Sequence, residues 1–163
     1  MFIITKKIHR ARLAAGLAIF AVAVAFVGAG FGLAHNIRSA EAAASPRPDP
    51  TGVRNAEDRV AYLEAWGWLV NAEPAAIEEV LIPETFDASY DEYLALQESQ
   101  GFDIQRYAGK TVKRYTYQVN NYPGLEEGIW ASILVHTKTV VGGEVFSAQG
   151  DGFTQSLDYP VNK

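Results

Sequence analysis

The 163-residue chain has no cysteine, one methionine and only three histidines. The missing cysteine excludes disulfides, thiolate nucleophiles, thiolate metal sites and a lipid-modified N-terminal cysteine together. An exported domain without disulfides is held by its apolar core alone, which about 110 residues can supply. His9 and His35 flank an uncharged run, and His136 stands by itself in the C-terminal part. One histidine cannot furnish both a triad and a metal site, so His136 reads as structural or solvated. GxSxG, HExxH, an EF-hand loop, a P-loop and a dinucleotide fingerprint are all absent. The pairs Glu78-Glu79 and Glu126-Glu127 are sequence neighbours, which a strand sends to opposite faces, so they read as solvated surface. No catalytic residue, cofactor or metal is expected.

Charge of one sign is missing locally as well. The first 40 residues contain no acid, and residues 13–34 contain no charge at all. Lys6, Lys7, Arg10 and Arg12 precede that run. From Val53 onward eight Lys/Arg stand against seventeen Asp/Glu, near −9, whereas the whole chain is at −5. Such asymmetry means that the parts face different surroundings.

What is there begins with "LAAGLAIFAVAVAFVGAGFGLA", 22 uncharged residues of which 12 are Ala or Gly. As a helix it spans roughly 33 Å, against a hydrocarbon core of about 30 Å. A signal peptide shares the basic start, but its apolar core runs to only about 7–15 residues. The small-residue sites Ala40-Glu41-Ala42 and Ala42-Ala43-Ala44 lie well beyond the end of the run. The expected arrangement is a single-pass anchor over 13–34 with residues 1–12 cytoplasmic and the rest outside. Secretion after cleavage near Ala42 to Ala44 is the alternative. Residues 35–52 carry Pro46, Pro48 and Pro50 between polar residues and read as an extended linker. Residues 53–163 then form an extracytoplasmic domain.

Within it, Asn55 is a good N-cap for "NAEDRVAYLEAWG", whose Ala56, Val60, Leu63 and Gly67 share one stripe. "WLV" and "AIEEVLI" read as short extended segments around the turn-prone "NAEP". A second helix follows, with Phe86, Tyr90, Tyr93, Leu94 and Gln97 on one face, Gly101 as its stop and Phe102 folded back onto it. "KTVKRYTYQV" alternates, with Tyr115, Tyr117 and Val119 on one side and Arg114, Thr116 and Gln118 on the other. "GIWASILVH" is apolar on both sides and belongs in the centre of a sheet. "TVVGGEVFSA" pairs with it across a turn at Thr137-Lys138, and Gly142-Gly143 signals a bulge or close backbone approach. The expected fold is α+β, two helices packed on one face of an antiparallel sheet of about four strands, preceded by the membrane helix.

The run Arg106, Lys110, Lys113 and Arg114 is the concentrated positive charge of an acidic domain. Interleaved with Tyr107, Tyr115 and Tyr117, it has the look of a nucleic-acid surface. The alternation sends the tyrosines to the core and Arg114 the other way, and the domain is acidic and outside the cell, so no nucleic acid is expected. The four cations are instead the candidate contact for an anionic protein or cell-wall partner, with ordinary surface ion pairing as the plainer account. The loop "NNYPGLEEG" is a second candidate contact.

"GFDIQRYAGKTVKRYTYQVNNYPG", with "RVAYLEAWGW" before it and "VVGGEV…DGF" after it, resembles the bacterial domain-of-unknown-function family 4830. The turn "HTKT" departs from the glycine-containing one expected there. The resemblance implies a membrane-anchored or secreted bacterial protein and lends no activity and no catalytic residue. The expected function is a non-catalytic interaction or sensor module near the membrane; a small hydrolase or ligand-processing enzyme is the alternative.

Overall fold

The computed structural model describes residues 47–125, 127–147 and 152–160. The anchor expected over 13–34, its basic flank and most of the linker lie outside the described residues. Among the described residues no helix is long and apolar enough to cross a membrane.

Helix α1 (Ala56–Ala65) starts at a capping box, in which the Asn55 side chain accepts from the Asp58 N–H at 2.7 Å. The Asp58 carboxylate accepts in return from the Asn55 N–H. The helix ends at Gly67, whose φ of +100° suits a residue without a Cβ. Gly67 and Trp68 donate back to the carbonyls of Glu64 and Leu63, a Schellman ending that delivers Trp68 to the core. Strand β1 (Ala76–Leu81) follows, and then helix α2 (Asp91–Ser99), entered through a turn of 3-10 helix. Its end repeats the device, with Gly101 and Phe102 donating to Glu98 and Gln97. Strands β2 (Thr111–Gln118), β3 (Ile129–His136), β4 (Thr139–Ser147) and β5 (Thr154–Gln155) follow among the described residues. The sheet is antiparallel throughout, in the order β1-β2-β3-β4-β5.

Three expectations need correction. Among the described residues the sheet has five strands rather than about four, because the short β5 pairs with Val145 and Phe146 of β4. "WLV" forms no strand, only an isolated bridge between Val70 and Val119. Most consequentially, the helices lie on opposite faces of the sheet. Tyr62, Leu63 and Trp66 of α1 join Tyr117, Ala131, Ile133 and Val145 in one core. Tyr93 and Leu94 of α2 pack with Val112, Leu134 and Val141 in another. Alternation along the strands puts these two sets on opposite sides. The doubly apolar β3 demands this cover, since a single layer would leave Leu134 in water.

Trp68 anchors the α1 core. Its ring stacks on Tyr122 with centroids 5.9 Å apart and tilts against Tyr159 at 4.8 Å. Its indole N–H donates to the Leu157 carbonyl at 2.6 Å. Between β3 and β4 the register shifts after Leu134, leaving Val141 as the extra residue of a bulge. The turn at Thr137-Lys138 is closed by Thr137 itself at φ +59°, an uncommon conformation for a β-branched residue.

Candidate functional site

On the α2 face, the register brings polar residues into adjoining rows. Thr116, Ser132 and Glu144 stand side by side on β2, β3 and β4, and Glu78 stands opposite Arg114 on β1 and β2. The Arg114 Nε donates to a Glu78 carboxylate oxygen at 2.9 Å, and a terminal guanidinium nitrogen reaches the same oxygen. The two side chains are only 11% and 20% exposed. Thr116 and Ser132 share a hydroxyl hydrogen bond of 3.0 Å. Burial pushes the Glu144 carboxyl up to about 7, and Arg114 draws it back only in part. Burial likewise raises the Tyr93 phenol, and Glu144 pushes it the same way. One guanidinium therefore serves two carboxylates beneath α2, and the surplus proton-binding group is Glu144.

The four cations singled out in the sequence are distributed differently. Arg106 is exposed and pairs with Asp103 at 3.0 Å. Lys110 and Lys113 are exposed. Lys113 projects from the α1 side of β2, whereas Arg114 projects from the α2 side into Glu78. Lys113 and Arg114 thus point to opposite faces, as the alternation requires. His136 lies against the Tyr107 ring, with centroids 5.3 Å apart. The start of the loop after β2 serves the fold: Asn121 donates to the Gly67 carbonyl and accepts from the Leu69 N–H, while Leu125 is exposed.

The clearest asymmetry lies in the sheet's two edges. Along β4 every stretch of the outer edge is closed. Val140 donates to the Pro50 carbonyl at 2.8 Å, and Thr51 bridges Thr139. At Gly143 the buried Gln97 imitates a strand: its amide oxygen accepts from the Gly143 N–H at 2.9 Å and its nitrogen donates to the Gly143 carbonyl at 3.1 Å. Gln100 donates to the same carbonyl and accepts from the Leu157 N–H. Beyond lie β5 and the bond from Ser147 to the Phe153 carbonyl. A Cβ at Gly143 would lie 2.5 Å from Leu157 Cδ1 and 3.1 Å from the Ser132 carbonyl oxygen, so any side chain there would have to displace Leu157.

β1 has no such cover among the described residues. It pairs with β2 alone. Just past its end Ile82 donates inward to Lys110, so the even-numbered residues bond to β2. The N–H and C=O groups of Ile77, Glu79 and Leu81 then point outward. The side chains of Ile77 and Leu81 are each 45% exposed, among the few large apolar residues so placed.

The model of the domain-of-unknown-function family DUF4830 matches residues 62–145, just over half of the 163 residues. The chain belongs to this family. The DUF4830 span runs from the second half of α1 to Val145 in β4, so it holds the open β1 edge, Gln97, Gln100 and Gly143 of the glutamine plug, and the Arg114 rows. No curated protein matches the chain, and no solved structure does.

The sequence marks Arg114, the Gly142-Gly143 pair and, on the packed face of α2, Tyr93 and Gln97, but not Glu144 or Gln100; Glu78, expected as solvated surface, is instead largely buried against Arg114. Only the double glycine signalled that something approaches β4 closely. Ile77, Glu79 and Leu81 were readable as one side of a strand, though not as the side of an open edge.

Proposed function

We propose that this DUF4830 protein is a non-catalytic interaction module, held outside the cell on the anchor over 13–34 and binding its partner at the β1 edge. The observation that carries the reading is the contrast between the edges. A sheet with one edge plugged at Pro50, Gln97, Gln100 and β5 leaves the other with outward backbone groups and two exposed apolar side chains. Open edges are templates for further strands, and proteins that do not use them normally blunt them. The anchor rests on the uncharged run and the basic flank of the sequence.

Two measurements test it. Protease added to intact cells should digest the domain, and a reporter that works only in the cytoplasm, fused after Lys163, should be inactive. Amide exchange at Ile77, Glu79 and Leu81 should be fast in the purified chain and slowed in isolated membranes, where the partner is present. Equal exchange in both removes the proposal.

A second reading has one observation in its favour. Perturbed carboxylates gather at catalytic sites, and Glu144, raised to about 7 beside Arg114, is poised as a general base. A hydrolytic activity that disappears in Glu144→Gln while the fold persists would replace the interaction module with a small enzyme.

A further inference from the structure

We infer that the β1 edge takes an extended peptide segment carrying a Lys or Arg flanked two residues away on each side by apolar residues. The inference rests on the reading of β1 as a docking edge and names what docks there. Its first ground is the row of side chains. An added strand bonds to the outward groups of Ile77, Glu79 and Leu81, and sets its own residues directly opposite these three. Ile77 continues a row through Tyr115 to Ile133, and Leu81 continues one from Thr111. Both are 45% exposed, so apolar partners opposite them would extend the α1 face outward.

Glu79 stands between them. Its inner neighbour across the pair is Lys113, and its outer side is open. Opposite charges directly across an antiparallel pair attract and like charges repel, so the residue facing Glu79 from outside is a cation. Glu73 and Glu84, both exposed just before and after the strand, bias the approach the same way. So does the charge near −9 beyond Val53.

A second copy of the chain fits less well. Two β1 strands related by a two-fold axis at Glu79 would gain the pairs Ile77–Leu81 and Leu81–Ile77. They would also set Glu79 against Glu79 between two acidic domains. Sliding the register by two residues relieves that clash but forfeits both Ile–Leu pairs and sets Glu79 against an apolar side chain.

The test uses the purified full-length chain in detergent and three synthetic nonapeptides of alternating Val and Thr. They differ only in the central residue on the Val side, which is Lys, Thr or Glu. Binding is read from amide shifts of Ile77, Glu79 and Leu81. The Lys peptide should bind at least tenfold more tightly than the Glu peptide, and Glu79→Lys should invert that order. Glu79→Pro, which removes the central outward N–H, should abolish binding of all three. Equal binding of the three peptides overturns the charge selection while leaving the docking edge intact. Absence of binding, with a disulfide-linked dimer formed by Glu79→Cys in this otherwise cysteine-free chain, assigns the edge to a second copy. That too overturns the inference, but not the docking edge. Neither binding nor dimer removes both, and β1 is then an edge blunted by its own shortness and its central charge.

Discussion

Beneath α1 the sheet is aromatic and its polar atoms are accessories to packing; beneath α2 it carries charge. The α1 face buries Tyr62, Leu63, Trp66, Trp68 and Tyr117 around Ala131, Ile133 and Val145. Its half-buried cation, Arg59, donates to the Tyr117 hydroxyl and lies 3.9 Å above the Tyr115 ring. The α2 face has a smaller apolar cluster around Leu134 and beside it Glu78, Arg114 and Glu144. One face can lose its polar atoms at little cost. The other is held by a balance of charges that a change of pH disturbs. The contrast makes quantitative claims.

The largest expected loss is on the aromatic face. Trp68→Ala removes a fully buried ring from between Tyr122 and Tyr159 and strands the Leu157 carbonyl. Large-to-small changes of this kind cost about 3–5 kcal/mol. Chemical denaturation should show that loss unchanged between pH 5 and pH 8. A loss that depends on pH would mean that the aromatic core is coupled to the charged face.

On the charged face, Arg114→Met should cost about 3 kcal/mol at pH 8, because two carboxylates are left without their guanidinium in a desolvated place. At pH 5 Glu144 is protonated and the loss should shrink. An equal loss at both values would assign the effect to packing of the arginine stem, and the contrast between faces would narrow.

Glu144→Gln isolates the proton. The carboxyl moves from 4.5 in the unfolded chain to about 7 in the fold, so between these values the native state holds the extra proton. Stability then falls as pH rises through that window. The variant lacks this fall. It should match the parent near pH 4 and exceed it near pH 8 by up to about 3 kcal/mol, less where solvent at the edge of Glu144 screens it. Parallel pH profiles for the two chains would remove Glu144 as the titrating group.

Much of this frame was legible in the sequence where the signal was local. Asn55 announced α1, Gly67 and Gly101 announced both helix ends, and the alternation through Tyr115 and Tyr117 gave the faces of β2. The side taken by α2 was not legible from its own stripe, since an amphipathic helix fits either face of a sheet. The hint lay elsewhere, in a β3 apolar on both sides. Glu78 meets Arg114 only because β1 pairs with a strand that follows a whole helical connection, a non-local fact that spacing does not encode. Gln97 was legible as part of the packed stripe of α2 and Gln100 was not; that both act as a strand surrogate depends on α2 meeting β4 at Gly143, which the stripe does not encode.

The smallest effect puts the aromatic face to its own test. Tyr62 is 5% exposed, and neither its hydroxyl nor the Trp66 indole N–H makes a hydrogen bond of good geometry among the described residues. Burial pushes the Tyr62 phenol up to about 12, although the Trp66 N–H is near enough to draw it down a little, so it stays neutral across the working range. Tyr62→Phe keeps the ring and its edge-on contact with Trp66, whose centroid lies 6.4 Å away. It deletes only a polar atom that was taken out of water with no well-formed hydrogen bond in exchange. Removing such a group stabilises, here by about 0.5–1 kcal/mol, with no dependence on pH. If denaturation instead shows a loss of that size, the Tyr62 hydroxyl and the Trp66 N–H serve one another. The α1 face would then contain a buried polar pair of its own, and the two faces would differ in charge but not in their use of polarity.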